Sequence, residues 1–533
     1  MLRQAGSPQR GRYLPLVAAL AATSLIAAPS AAVTPGIAIG PSTVTAPYIL
    51  PVGAGIGITS ILTVGDDGSA TNGYEMVGIP DGIGIMGQGA NVVVLMNHEL
   101  RDPLGLVHRH GQTGAFVSRW VIDPATLRVK EGADWINPGV QYWDYPSQTY
   151  VTSGARFAGG AVQDLPFGRF CSGTLSDPGT FFNEATGKGW KGQIYFANEE
   201  DDDDGRAFGV TKEGDAIALP RIGLFASENT KAARNQTDTT LVIGDEDGPE
   251  DGSQLWVYVG TKQQSGPPEA KAGLTNGIDH VLDAVDEAVS TDAQWRAAYG
   301  KNAARVDLAE VDWNQTGAAL NAEARAAGLS LNRIEDGHWD PSHPNDFYFV
   351  TTEGGQTNGL NPNNVNFRDG GGLWRLRFDD IEDPDAGGTL QLLLDGSETI
   401  GIGEPKMNKP DNMTIDGHGN LLIQEDPGNN NHLARIVAYR IADGALGVIA
   451  RFGQALFGAG ANADPNRLTI DEESSGIVDA EAVLGAGTFV FDAQAHTTKG
   501  LQPGTGPGTV QELVQRGQLL TLTIDDWGAV YGG

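Results

Sequence analysis

Short apolar runs recur along the chain, each stopped by glycine, asparagine or an acidic residue. Examples are Asn91–Met96, Gly192–Ala197, Ser253–Val259, Asp346–Thr351, Gly372–Phe378, Gly419–Gln424 and Gly487–Asp492. β-Branched and aromatic side chains dominate them, and these fit a pleated surface. With 74 glycines and 28 prolines available for turns, the pattern predicts many short strands with tight connections. The spacing between runs is irregular, so no strict repeat of the WD40 kind is present. A chain of 533 residues would ordinarily divide into several domains, but large closed all-β architectures keep such lengths in one. The expected fold is all-β, a β-propeller with diverged blades and decorated loops. A pair of β-sandwiches is the alternative.

One stretch departs from this pattern. From about 277 to 329 alanine, glutamate, aspartate and arginine dominate, as in Val281–Ala288 and Asn321–Ala327. These are helix formers at helical spacing. A mostly helical insertion between two blades is expected there, docked on the propeller by Trp295 and Trp313.

At the start of the chain Arg3, Arg10 and Arg12 precede the apolar stretch Tyr13–Ala28 and the small residues Ser30-Ala31-Ala32. This is the form of a secretory signal. The expected organisation is a signal peptide over 1–32 and one propeller domain over 33–533, in a periplasmic or secreted protein. Gly11 separates Arg10 from Arg12, so the twin-arginine pair is absent. No later segment has the roughly 18 apolar residues of a membrane span.

Charge sharpens the picture. Against 35 Lys and Arg stand 67 Asp and Glu, a net charge of −32. Removing the three signal arginines gives −32 − 3 = −35. That sign repels nucleic acid and anionic lipid. It suits hard cations, whose preferred ligands are carboxylate oxygens, although a solvated acidic surface has the same composition. Cys171 is the only cysteine. In an exported chain it cannot form an intramolecular disulfide, which leaves a buried passenger, a link to another chain, or a thiolate kept for chemistry. Its surroundings, Cys171–Thr174 and Asp177–Thr180, are small and turn-forming, and this favours chemistry.

Carboxylates gather at strand ends. Asn97-His98-Glu99 follows the run 92–96, and Asn198-Glu199-Glu200 opens an acidic run to Asp204. Gly244–Gly252 resembles a calcium loop but breaks the EF-hand pattern, with Pro249 at the third ligand position. Arg333-Ile334-Glu335-Asp336 and Lys409-Pro410-Asp411-Asn412 precede strands, and Glu228 sits within Ala226–Asn229. No G-x-S-x-G elbow, C-x-x-C, HExxH or P-loop occurs, against serine-hydrolase, zinc-protease and NTPase readings. One soft thiolate among many hard carboxylates suits iron or another transition metal beside calcium. An exposed arginine such as Arg333 offers a fork for a phosphate or carboxylate.

Together these motifs resemble the PhoX-type alkaline phosphatases, a family of exported β-propeller enzymes. The likeness is carried by Cys171 with Gly179-Thr180 eight and nine positions on, and by Glu199-Glu200 after the next strand. Asn97-His98-Glu99, Arg333-x-Glu335, Pro410-Asp411 before Gly419-Asn420-Leu421, and Gln494-Ala495-His496 extend it over roughly residues 90–500. The chain departs from the family pattern at Asn198, Ser227 and Ile334, and in the loop Asn183–Lys191. The resemblance implies hydrolysis of phosphate monoesters at an iron and calcium centre. Cys171, Glu228 and Glu335 would ligate iron, and Glu199, Glu200, Glu250 and Asp411 would ligate calcium. Arg333 with His98 would hold the phosphate. A monomer without a nucleic-acid partner is expected. A non-catalytic calcium-binding propeller and a calcium-dependent propeller lactonase or esterase are the alternatives.

Overall fold

The unbroken apolar runs belong to strands covered on both faces. In the computed structural model of the chain, Asn91–His98 is buried from Val92 onward, and Ile194–Glu199 and Asn420–Glu425 are buried throughout. Further out, Gly388–Asp395 alternates between buried and half-buried positions, as a strand nearer solvent does. The structure describes residues 36–532 apart from 67–68, 154–164, 250–251, 353–370, 397, 402–403, 430 and 459–464.

These strands form six antiparallel blades around a central channel. From the channel outward, blade 1 runs Pro80–Gln88, Asn91–His98, Phe116–Ile122 and Val129–Asp134. The inner strands of blades 2 to 6 are Phe170–Leu175, Ser227–Ala232, Ile334–Trp339, Pro410–Ile415 and Glu472–Asp479. Each inner strand packs on its two neighbours, and the sixth packs on the first, so the ring is closed. The early strand Ile56–Thr63 completes blade 6 by pairing antiparallel with Arg516–Ile524. Joining the two ends of the unit Pro35–Gly533 in one blade ties the ring shut and removes free inner edges.

The core is divided between the blades. Val93, Leu95 and Val117 meet Tyr195, Phe208 and Val210 between blades 1 and 2. Leu255, Val257 and Leu282 meet Phe347, Phe349 and Trp374 between blades 3 and 4. Ile436, Ile449 and Phe452 meet Phe489, Phe491 and Leu520 between blades 5 and 6. Fully burying one such side chain contributes about 1.5–3 kcal/mol. The blade faces are thus spent on each other, and the polar strand ends are left to line the channel.

The stretch 277–329 holds two helices, Asp292–Tyr299 and Gly317–Ala327, capped by the side chains of Thr291 and Thr316. It is not mostly helical, however. Ile278–Ala284 and Ala304–Val311 are strands that extend blade 3, and the second pairs with Gly388–Asp395 to join blades 3 and 4 in one sheet. Val281 to Ala284 have helical company in sequence, but pairing with the apolar strand Leu255–Thr261 overrides that propensity. Trp295 is fully buried in the core between blades 3 and 4. Trp313 stays half-buried, against Trp143 and under the Arg221 guanidinium. Among the described residues, no helix is long and apolar enough to cross a membrane.

Candidate metal centre at the channel mouth

The second residue of each inner strand is Asp81, Cys171, Glu228, Glu335, Asp411 or Glu473. In blades 1 to 5 this residue falls inside a break of register with the next strand. A bulge of this kind bends the strand and re-aims the side chain, here towards the axis. The second strands end in a matching triplet. Asn97-His98-Glu99, Asn198-Glu199-Glu200, Asp245-Glu246-Asp247, Gln424-Glu425-Asp426 and Gln494-Ala495-His496 occupy blades 1, 2, 3, 5 and 6.

Strand alternation gives the three triplet positions different surroundings. The first forms a polar floor to the channel: Asn97 donates to the Cys171 carbonyl at 2.8 Å, and Asn198 donates to the Ser172 carbonyl at 3.1 Å. The second turns away from the channel. The third returns to it, and there Glu99, Glu200, Asp247 and Asp426 join the inner-strand donors, with His496 beside Glu473 in blade 6.

Three overlapping sets of ligand atoms result, each lying within 4.8 Å of one another: Asp81, Glu99 and Cys171; Cys171, Glu200 and Glu228; Glu228, Glu335 and Asp411. Cys171 and Glu228 are shared, so the sets form one arc across blades 1 to 5. The Cys171 thiol lies 3.4 Å from Asp81 Oδ2. Burial, and then the neighbouring carboxylates, hold the Asp81, Glu335 and Asp411 carboxyls well above the usual range. Burial and then Asp247 push Glu228 up to about 8, and burial and then Asp426 push Glu473 up to about 7. Burial followed by Glu228 also raises the Cys171 thiol. Asp81 Oδ1 and Glu228 Oε1 are buried and have no hydrogen-bond partner among the described residues. Buried, mutually repelling acids with unmet lone pairs are a poor arrangement for a protein alone and a good one for bound cations. The donor set therefore fits a metal cluster, with a thiolate at one end for a soft ion and oxygen-only ligands at the other for a hard one.

Two guanidinium groups border the arc. Arg333 has a positive φ of 53° and grips Asp247 with both arms, Nε to Oδ1 at 2.8 Å and Nη2 to Oδ2 at 2.7 Å. Its Nη2 also lies 3.3 Å from Glu335. Arg169 bridges Glu99 and Glu200. His496 stands beside Glu473 at 3.8 Å. Burial opposes its charge, but the bond to Glu473 and that carboxylate's charge raise its pKa to about 10.

Of the residues expected from sequence, Cys171, Glu200, Glu228, Glu335 and Asp411 converge in the arc, with Arg333 at its rim. Glu335 groups with Glu228 and Asp411 rather than directly with the thiol. Glu250 lies outside the described residues. Two expectations are corrected. Glu199 occupies a second triplet position and is held by Arg206, with Nη2 to Oε1 at 2.8 Å, and by the Gly168 amide at 2.7 Å. His98 also occupies a second position, fully buried and stacked on Phe116. Its ring nitrogens sit 3.1 Å from the Gly78 carbonyl and 2.8 Å from Ser118 Oγ. Burial pushes its pKa down to about 3, so no imidazole face or charge is left for a phosphate. Glu99, one residue on, is the member that reaches the channel.

Sequence reasoning passed over Asp81, Arg169, Asp426 and Glu473, and gave no ligand role to Glu99 or Asp247. Two signals were present. Pro80-Asp81 repeats Pro410-Asp411 at the same strand start, and the polar-x-acid triplet recurs at the end of one second strand after another.

The family model for alkaline phosphatase PhoX matches residues 209–481. No curated protein sequence matches the chain. Among solved structures, Pseudomonas fluorescens PhoX in complex with vanadate, a transition-state analogue, superposes with a TM-score of 0.62 at 14% identity, covering 90% of this chain and 97% of that one. A luciferin-regenerating enzyme (TM-score 0.31, 10% identity, covering 85% of this chain and 95% of that one) and a GH43 β-1,3-galactosidase with galactodeoxynojirimycin (0.32, 12%, 84% and 92%) lie much further away.

Proposed function

The chain belongs to the alkaline phosphatase PhoX family, and on that footing we propose that it hydrolyses phosphate monoesters at a cation cluster in the mouth of its propeller channel. The observation that carries this reading is the arc of three ligand sets sharing Cys171 and Glu228, with two guanidinium groups at its edge. Cys171, Glu200 and Glu228, with Asp81 and Glu99 nearby, would hold iron at the thiolate end. Glu228, Glu335 and Asp411 would hold calcium at the oxygen-only end. When bound, the cations supply positive charge against the phosphate oxygens as negative charge builds on them.

The chain's own groups do the rest. The planar fork of Arg333 matches two phosphate oxygens and orients the ester. Its partner Asp247 and the nearby Glu335 hold that fork at the rim. The polar floor of Asn97 and Asn198 fixes the backbone around Cys171, so the thiolate and carboxylates are preorganised. The blade faces beneath exclude water from all sides but the mouth. The vanadate of the similar Pseudomonas structure is an oxyanion of the phosphate type, which agrees with this substrate class. We further propose that residues 1–32 are a signal peptide and that the mature propeller starts at Val33, in the periplasm or outside the cell.

The test is to purify the mature chain without chelator, quantify bound metals by mass spectrometry and assay phosphomonoesters, with Cys171→Ser in parallel. Iron and calcium near stoichiometric amounts, activity lost on chelation, and a loss of about 100-fold or more in Cys171→Ser are expected. Full activity in Cys171→Ser would remove the thiolate from the centre. Calcium alone with no hydrolysis would make the channel a binding site.

A further inference from the structure

The blade repeat singles out one position more. Two residues before the inner-strand donor stand Ile79, Arg169, Ala226, Arg333, Lys409 and Asp471 in blades 1 to 6. Arg169 and Arg333 are thus equivalent residues of blades 2 and 4, on either side of Glu228 in blade 3. Both border the arc and both are paired with channel carboxylates at the ends of second strands. Arg333 takes Asp247 of blade 3, and Arg169 takes Glu99 of blade 1 and Glu200 of its own blade. Lys409 shares the position, yet makes no ion pair among the described residues.

Resting on the phosphatase reading, we propose that Arg169 is a second substrate-binding residue, which grips the phosphate opposite Arg333. Three observations carry this. The Arg169 guanidinium is paired with Glu99 and Glu200, one from each of the two ligand sets that share Cys171, and it also feels the charges of Glu228 and Asp247. Asp247, the partner of Arg333, is among these acids, so the two guanidinium groups flank one set of carboxylates from either side of blade 3. Finally, the buried Nε–H of Arg169 has no partner among the described residues, so the fork is not fully used by Glu99 and Glu200. Both of those carboxylates belong to the ligand sets. When they turn to cations, the Arg169 arms lose their present acceptors and a phosphate oxygen is the natural replacement. Two forks on opposite sides would fix the plane of the transferring group, where a single fork leaves it free to swing.

The measurement is made on the metal-loaded protein with Arg169→Met and Arg169→Lys, reading bound metal, kcat and KM for a phosphomonoester, and the inhibition constant for inorganic phosphate. The proposal expects the metal content to be retained in both variants. KM and the phosphate inhibition constant should rise about 10- to 100-fold in Arg169→Met. Arg169→Lys, which keeps the charge without the fork, should recover part of that loss. Unchanged KM and phosphate inhibition with full metal content would overturn it. So would a loss of bound metal in both variants whose activity excess metal restores, since Arg169 would then be only a counterion that positions Glu99 and Glu200. A wild-type protein that neither hydrolyses phosphomonoesters nor binds phosphate would sink the phosphatase reading itself, a result visible before any variant is made.

Discussion

Replacing Glu228 by glutamine should raise stability in chelator, and calcium should cut that gain by about 2.7 kcal/mol. Glu228 belongs to two ligand sets and is essentially buried. Without metal, burial and Asp247 raise its pKa from 4.5 to about 8. At about 1.36 kcal/mol per pH unit, that difference amounts to about 5 kcal/mol. The folded pKa is above the unfolded one, so the folded protein holds the proton longer. The stabilising contribution is fully present below about pH 4.5 and is lost as pH rises through about 8. Glu228→Gln removes that loss while keeping the shape. In chelator, the variant should therefore gain on wild type by up to about 5 kcal/mol between those pH values. With calcium in hundredfold excess over its dissociation constant, a bound ion stabilises the wild type by about 2.7 kcal/mol. The variant, short of one ligand, should recover little of that. Urea unfolding followed by tryptophan fluorescence, across pH in chelator and in calcium, reads both effects. An equal stability difference in both buffers, or a pH-independent difference in chelator, would refute the reasoning.

Two further expectations concern residues that alternation turns away from the channel. Glu425→Gln should cost about 3–5 kcal/mol at neutral pH, because it leaves the buried Arg435 guanidinium without its carboxylate. Burial alone would raise the Glu425 pKa, but Arg435 and His432 bring it down to about 2. Its stabilising contribution is therefore present above about 4.5 and fades as pH falls through about 2, and the gap between variant and wild type in urea midpoints should close over that window. His98→Gln should lower stability by about 1–3 kcal/mol through the lost bonds to Gly78 and Ser118. KM for a phosphomonoester should stay the same, and a tenfold rise in KM at unchanged stability would return His98 to the substrate.

Much of the architecture can be read from the chain. Runs such as Val92–Met96 are too short for helices and too apolar for one-faced strands, which points to stacked sheets. The Pro-Asp strand starts, the lone cysteine and the clustered acids mark the polar ends as the place for chemistry. Composition alone misjudged Ile278–Ala284, because helix propensity is weak beside pairing with Leu255–Thr261.

What the sequence determined by itself is the inventory: apolar stretches that must be buried between sheets, and one thiol and many carboxylates at their ends. Facing is another matter. His98 and Glu99 are neighbours, as are Glu199 and Glu200, and the side-chain period of two sends one of each pair into the blade interface and the other into the channel. A slip of one residue would exchange them. That register depends on bulges and on which blades lie side by side. The meeting of Cys171 with Glu228 and of Glu228 with Asp411 depends on closure of the ring by Ile56–Thr63 against Arg516–Ile524. Contacts between residues hundreds of positions apart arise from that closure, and only the tertiary structure decided them.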